Sequence, residues 1–302
     1  MEPDHELSAK RSHEHTLDVS VVIPVYNERD AIEDVLDQLV ATMEPLDCSY
    51  EIVVVDDGST DDSGDLCRAR SDVVLVTHGQ NRGPGAARTT GVRRAKGRYV
   101  VMIDADGTYP VEAIPPMLQM LKDCDMVIGA REREMGTLKW IRSAAKKLIK
   151  RLASYLTRTD IPDLNSGLRA MKRDLVLEFL PILPTTHSWV STITLAFLSN
   201  GYLVKWMPIS YHQRIGTSTF HPIVDTYNYL SLVVRAVMYF DPLRVFLPLS
   251  LVMLLIGVGK AVYDIFAYDF HFAPSTLMII FTTLQVGAIG LLADLIVRRS
   301  KL

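Results

Sequence analysis

Two carboxylates separated by one residue, in Asp104-Ala105-Asp106, follow directly on the apolar run 99–103. In extended backbone, residues i and i+2 face the same way, so the pair can hold Mg2+ or Mn2+ with only part of the metal's shell drawn from protein. Diphosphate oxygens would take the open positions, and the ion would neutralise charge growing on a departing nucleotide diphosphate. The competing reading is a turn, for which Asp-Ala-Asp-Gly is ordinary composition, so its place at a strand end gives the pair its weight. Two further polar clusters end apolar runs: Pro24-Val25-Tyr26-Asn27-Glu28 and Asp56-Asp57-Gly58-Ser59-Thr60-Asp61. A carboxylate there can accept from a base N–H or a ribose hydroxyl, and an aromatic ring can flank a base. Either cluster also fits a plain strand-to-helix turn. The stretch Gly83-Pro84-Gly85-Ala86-Ala87-Arg88 looks like a dinucleotide loop, but Arg88 stands where the third Gly belongs and the loop follows the third run, not the first. This argues against a nicotinamide site and for a tight turn at Asn81-Arg82-Gly83, opening a helix near donor phosphates.

The elements that must position these residues alternate. Short runs at 19–25, 52–55, 73–76, 99–103 and 126–128 are separated by helix-compatible stretches such as 30–43 and 84–95. That pattern predicts an α/β fold, a mostly parallel sheet with helices on both faces, which binds ligands at the carboxyl ends of its strands.

The remainder of the chain has a different solvent. Mean hydropathy is positive at +0.16, and only eight of the 67 Asp, Glu, Lys and Arg residues fall after residue 241. Residues 272–293 contain 22 positions without a charged residue or His, enough helix at about 1.5 Å per residue to cross a hydrocarbon core of about 30 Å. Residues 245–259 form a second apolar run, extended if Lys260 snorkels. A buried helix of a soluble domain is the competing reading. Arg235 and Arg244 before the first run, Arg298, Arg299 and Lys301 after the second, and Asp264 and Asp269 between them predict cytoplasmic termini. Residues 1–17 are polar, without the apolar core of a signal peptide, and read as a disordered tail. The 32 basic against 35 acidic residues leave −3, too balanced for a generally basic nucleic-acid binder. Cys48, Cys67 and Cys124 are odd in number and lack metal-ligand spacing, favouring a reducing compartment.

Taken in order, Val22-Ile23-Pro24-Val25-Tyr26-Asn27-Glu28, Val55-Asp56-Asp57-Gly58-Ser59, Asn81-Arg82-Gly83 and Asp104-Ala105-Asp106 resemble a GT-A glycosyltransferase of family 2. Asn165-Ser166-Gly167-Leu168-Arg169 and Gln213-Arg214-Ile215-Gly216-Thr217-Ser218, followed by two apolar spans, narrow the resemblance to the polyprenyl-phosphate hexosyltransferases of the dolichol-phosphate mannose synthase type. It implies a GT-A catalytic domain over 18–220, an interfacial segment over 221–241 and a transmembrane hairpin over 242–302. The implied reaction is inverting, metal-dependent transfer of one hexose from a nucleotide-sugar, of GDP-mannose or UDP-glucose type, to a dolichyl or undecaprenyl phosphate at the cytoplasmic membrane face. Residue by residue, it implies Pro24, Tyr26, Glu28, Asp56, Asp57, Arg82 and Asp104 for the nucleotide-sugar. It implies Asp104 and Asp106 for Mg2+ or Mn2+, and Arg131, Arg142 and Ser218 for the acceptor phosphate, with Arg131 and Arg214 beside the metal pair in catalysis. Two positions depart from the mannose synthases: Thr108 stands for a common Gln, and Thr219 for a common Lys.

A phosphate monoester has a second pKa near 6, so it arrives anionic at neutral pH and needs cations and alignment more than a strong base. Arginine's planar fork suits that task, although each of Arg131, Arg142 and Arg214 also reads as an ordinary surface residue. Residues 138–156 hold six Lys or Arg and no acid, with Ile141, Ala145, Leu148, Leu152 and Leu156 at helical spacing. They read as a helix lying on anionic lipid, or as a solvated face of a domain helix. Residues 221–239 suggest a second interfacial helix, the spans offer surface for a homo-oligomer, and His187 and Trp189 read as packing residues. The rival enzyme is a family 2 transferase acting on a saccharide hydroxyl, against which stands the absence of the Gln-x-x-Arg-Trp motif of processive synthases. The rival of another class is a membrane-anchored nucleotide-sugar-binding protein without turnover.

Overall fold

The computed structural model describes residues 16–131, 154, 159–212, 238, 242–267 and 271–299. Seven strands form one sheet: β1 (Leu17–Val25), β2 (Tyr50–Asp56), β3 (Val73–Thr77), β4 (Gly97–Met102), β5 (Met126–Arg131), β6 (Arg169–Lys172) and β7 (Val204–Ile209), in the order β3-β2-β1-β4-β6-β5-β7. All neighbours pair parallel except β6, which runs antiparallel to both β4 and β5. The chain winds from β1 outward to β2 and β3, then returns across β1 to β4. That reversal places the topological switch point at the carboxyl ends of β1 and β4, where open α/β sheets keep their ligands.

Strand alternation decides which helix covers which face. Val19, Val21, Ile23 and Val25 of β1 pack with α1 (Ile32–Met43), α2 (Ser63–Arg68) and α4 (Ile114–Met120), whereas Val22 of β1 and Val53 and Val55 of β2 pack with α3 (Pro84–Arg94), α5 (Arg173–Phe179) and α6 (Trp189–Ser199). The spacing within α1 shows the cause: Ile32, Val35, Leu36, Leu39 and Met43 are buried on one stripe. Each expected run is a strand to within a few residues. The expectation omitted β6, a four-residue strand with a basic residue at each end, and β7, whose apolar pattern Lys205 and Pro208 interrupt.

Two long apolar helices follow, α7 (Leu243–Ala267) and α8 (Pro274–Arg299). They are antiparallel: Gly290 backs on Phe246, Gly257 on Ile279 and Ile280, and Asp264 reaches Thr276. Their large side chains point outward, Leu255 being 65% exposed, Phe266 85% and Met278 70%, which is the opposite of a buried core helix. Near the connecting end, Asp264 is buried against the hairpin, accepting from Lys260 Nζ (3.0 Å), Ala273 N–H (2.9 Å) and the Thr276 hydroxyl. A charge in an apolar span is tolerated when it is paired in this way.

Candidate active site

The loops after β1 and β2 are tied into one surface. Asn27 takes a left-handed φ of 54°, its N–H donates to Ser59 Oγ (3.1 Å), and its Oδ1 accepts from Thr60 N–H (2.8 Å). Asp57 N–H donates to Val25 O (2.8 Å) and Glu28 N–H to Ser63 Oγ (2.9 Å). Tyr26 emerges from this surface 43% exposed, and Pro24 lies half-buried in β1 opposite Val55.

Asp56 and Asp57 are almost wholly buried. Asp56 Oδ1 accepts from Ser59 N–H (2.9 Å), closing the Asp-Asp-Gly-Ser turn. Asp57 carries more: its Oδ1 accepts from Arg82 N–H (3.0 Å) and faces His78 Nδ1 at 2.6 Å, while its Oδ2 accepts from Gly83 N–H (2.8 Å). A carboxylate only accepts, so Nδ1 bears a proton, and His78 Nε2 contacts Thr90 Oγ1 at 2.9 Å on α3. Asp57 therefore sets the shape of the Asn81-Arg82-Gly83 turn from beneath, while the Arg82 side chain lies exposed above it.

The glycine-rich stretch turns into α3 as expected and meets the 184–186 segment of the chain. Gly83 takes φ 93° just before α3, and Gly85 N–H and Ala86 N–H both donate to Thr185 O (2.8 and 3.2 Å). A Cβ on Gly83 would stand 2.6 Å from that oxygen, and one on Gly85 2.3 Å from Pro184 O. The small residues let the 184–186 segment dock, and the first helical amides are spent on it. Trp189, fully buried at the start of α6, continues this seam by donating to Thr89 Oγ1 (3.0 Å), whereas His187 lies exposed.

The metal-type pair sits just past β4. Asp104 Oδ1 accepts from Arg88 Nη2 (2.6 Å), and its Oδ2 lies so close to Gly167 that a Cβ there would stand 2.2 Å away. Asp106 Oδ1 accepts from Thr108 N–H (3.2 Å) and from the buried Thr108 hydroxyl (2.6 Å). Thr108 thus orients Asp106. Among the described residues no group of three or more His, Cys, Asp or Glu could close around a metal. Two strand-end carboxylates, each with one oxygen pinned, fit a hard cation such as Mg2+ or Mn2+ that keeps waters and phosphate oxygens in its shell.

A contact chain leads from this pair to Arg131. Tyr109 Oη accepts from Gly167 N–H (2.7 Å), the Tyr109 and Tyr211 rings meet edge to face at 5.3 Å, and the Arg131 guanidinium lies over the Tyr211 ring at 5.3 Å. Burial first, and then the charge of Asp104, push the Tyr109 hydroxyl well above its ordinary pKa, so it stays a phenol. Arg131, ending β5, donates through Nε to Asp163 Oδ2 (2.6 Å) and through Nη2 to Asp163 Oδ1 (3.0 Å). Burial alone would raise the Asp163 pKa, but the hydrogen bonds and charge of Arg131, with the amides of Asn165 and Arg131, outweigh it and hold the carboxyl below the usual range. The structure thereby connects Asp104 to Arg131, and Asp57 to Arg82. Arg142, Arg214, Ser218 and Thr219, with most of 138–156 and nearly all of 221–239, lie outside the described residues.

Residues 20–180 match the family described as glycosyl transferase family 2, and residues 241–298 match the GtrB C-terminal hairpin. The chain belongs to glycosyl transferase family 2. Among similar proteins, the undecaprenyl-phosphate 4-deoxy-4-formamido-L-arabinose transferase of Sodalis glossinidius (strain morsitans) is 34% identical over 185 residues, 56% of this chain and 56% of that relative. The protein of the same name from Edwardsiella ictaluri (strain 93-146) is 28% identical over 295 residues, 93% of this chain and 89% of its own length. With several of these relatives, then, the aligned part spans only about half the length. The fold matches crystal structures of glucosyl-3-phosphoglycerate synthase from Mycobacterium tuberculosis. Its complex with Mn2+, uridine-diphosphate and phosphoglyceric acid superposes at TM-score 0.58 and 19% identity, over 74% of this chain and 79% of that one. This family 2 chain thus joins a GT-A sheet to an apolar two-helix hairpin.

Sequence reading overlooked Arg88, noticed only as a residue that spoils a dinucleotide fingerprint, and His78, which carried no pattern at all. For Arg88 a signal existed: an arginine inside an otherwise small-residue helix turn, Gly85-Ala86-Ala87, is placed to be buried.

Proposed function

We propose that the chain transfers one sugar, with inversion, from a nucleotide-diphosphate donor to the phosphate of a polyprenyl lipid, undecaprenyl phosphate in the first instance. The observation that carries this reading is the pairing of a strand-end carboxylate couple with an arginine whose neighbouring acid is held ionised. Asp163, the carboxylate closest to the part of a general base, has a depressed pKa and is bound bidentately by Arg131, which makes it a poor proton acceptor. A phosphate acceptor requires none.

In this mechanism Tyr26 flanks the base, and the turn held by Asp57 carries Arg82 toward the donor. Asp104 and Asp106 would hold Mg2+ or Mn2+, which would supply Lewis-acid stabilisation of the leaving diphosphate. Arg131, fixed in its plane by Asp163 and Tyr211, aligns the acceptor phosphate, with Arg142, Arg214 and Ser218 completing its surroundings. An acceptor oxygen forms the new bond to the anomeric carbon while the bond to the nucleotide diphosphate breaks on the opposite face. No proton is transferred. The products are a sugar phosphoryl lipid and a nucleoside diphosphate. The hairpin anchors the catalytic domain at the bilayer, with the charges around 235–244 and 298–301 setting both ends on the cytoplasmic side.

The test incubates membranes containing the protein with labelled UDP-glucose, GDP-mannose or UDP-GlcNAc, with and without EDTA. Label should enter a mild-acid-labile lipid only without EDTA. Transfer to a saccharide hydroxyl with no lipid product would select the rival enzyme, and nucleotide-sugar binding without transfer would select the anchored binding protein.

A further inference from the structure

We propose that Arg88 is the positioning residue of the metal site, fixing the Asp104 carboxylate against Gly167 so that the ion meets it in one geometry. The inference rests on the reading of Asp104 and Asp106 as metal ligands. Arg88 lies in the second turn of α3, buried, and spends Nη2 on Asp104 Oδ1 at 2.6 Å. Its Nε and Nη1 are buried without a partner among the described residues. Burying a cation is costly unless its partner repays it, so an arginine kept for packing should be well satisfied by the frame around it. Arg169, the other buried arginine among the described residues, is better satisfied: it donates to Val190 O (2.7 Å), Thr194 Oγ1 (3.0 Å) and Ser166 O (2.5 Å), and only its Nε is left without a partner there. Among the described residues Arg88 has one such partner, Asp104. On the far side of the carboxylate, Gly167 leaves no room for even a Cβ, and it is held there by Tyr109 Oη on its N–H and by Arg169 on the preceding carbonyl. Asp104 is thus caught between a buried cation and a backbone that is itself held in place. Groups that orient a metal ligand without touching the metal set affinity by about 10–100-fold.

The experiment titrates Mn2+ into the detergent-solubilised full chain with UDP or GDP present, following free aqueous Mn2+ by EPR, and records melting temperature in EDTA. Arg88→Gln should raise the Mn2+ dissociation constant at least about tenfold, with Arg88→Lys recovering part of the loss. Gly167→Ala, which presses the same carboxylate from the other side, should weaken Mn2+ comparably and keeps the test alive if Arg88 variants fold poorly. Variants that melt earlier but bind Mn2+ as wild type does would make Arg88 a packing residue, and tighter Mn2+ binding would make it a competitor of the ion; either overturns the proposal. Asp104→Asn separates the layers. Wild-type binding that is lost in Asp104→Asn but kept in the Arg88 variants sinks the positioning role alone, whereas no binding by the wild type removes the metal reading and this inference together.

Discussion

Replacing Asp163 by Asn distinguishes an aligned phosphate nucleophile from base catalysis. The carboxylate accepts from Arg131 Nε and Nη2, from Arg131 N–H (3.3 Å) and from Asn165 N–H (3.0 Å), and the side chains of the pair are only 14% and 11% exposed. An amide of the same shape keeps one acceptor, removes the charge and turns an NH2 toward a donor. Removing one partner of a buried pair costs about 3–5 kcal/mol, and the retained acceptor puts the expectation near about 3 kcal/mol. At about 2–4 °C per kcal/mol for a domain of this size, the melting temperature should fall by roughly 6–12 °C. If alignment is the role of Asp163, KM for the polyprenyl phosphate rises, by about tenfold for each 1.4 kcal/mol passed to binding, with kcat much less affected. Arg131→Ala combined with Asp163→Asn should then cost less than the sum of the single changes. The pH dependence has a definite sign. The folded pKa of Asp163 lies below 3.8, so its stabilising contribution is complete above that value and is lost only as pH falls through the lower folded value. No limb of the rate profile near neutrality should belong to it. A fall in kcat of about 10²–10⁴ with KM and melting temperature intact would instead identify Asp163 as a general base and make a hydroxyl acceptor the better hypothesis.

Further perturbations test the remaining parts of the site. Asp104→Asn or Asp106→Asn should give folded, membrane-inserted protein that has lost most transfer, and near wild-type EDTA-resistant transfer in either would remove the metal from the mechanism. Asp57→Ala removes the acceptor of two backbone amides and of His78, so nucleotide affinity by calorimetry should weaken by about 1–3 kcal/mol together with a lower melting temperature; unchanged affinity would confine Asp57 to turn-making. Thr108→Val deletes the hydroxyl at 2.6 Å from Asp106 while the 3.2 Å amide bond survives, so Mn2+ affinity should drop by roughly tenfold, about 1.4 kcal/mol. Mn2+ binding by Thr108→Val equal to wild type would reduce the hydroxyl to a stability element.

The strands that frame the donor side could be read from the sequence because they are covered on both faces, which leaves near-continuous β-branched runs at 19–25, 52–55 and 99–103. β6 escaped because it has only four residues and carries Arg169 and Lys172, whose side chains serve α6 and Asp125 and do not follow an apolar alternation. The chemical types at the strand ends were legible, and their partners were not. That Arg131 would meet Asp163, 32 residues on, depends on β6 pairing beside β5, and that Arg88 would meet Asp104 depends on α3 packing over β1 and β4. Asp57 marks the same boundary. Its carboxylate type suggested a base or ribose contact, and the sequence did not show that the same two oxygens also bind His78 and the amides of Arg82 and Gly83.

The Arg131–Asp163 pair also bears on where the acceptor's charge is balanced. A diphosphate donor and a phosphate acceptor are both anions, and two unit charges about 5 Å apart repel by roughly 3 kcal/mol at an effective dielectric constant of 20. The Mg2+ or Mn2+ reading answers this on the donor side. On the acceptor side Arg131 supplies oriented hydrogen bonds but little net charge, because Asp163 already cancels it at 2.6 Å. The compensating cations must therefore lie elsewhere, and we expect them among the six basic residues of 138–156, a stretch without an acid that includes Arg142. The two kinds of contact differ in their response to salt, since a buried, geometrically fixed fork is screened far less than charges at a wet bilayer surface. Arg131→Lys should raise KM for polyprenyl phosphate by a factor that stays nearly constant as ionic strength increases from about 0.02 to 0.3 M. Arg142→Ala should raise it by a factor that is large at low salt and shrinks as salt rises. Equal salt slopes for the two variants, measured in the same detergent, would mean that Arg131 contributes charge in spite of Asp163, and the division between alignment and neutralisation would fall.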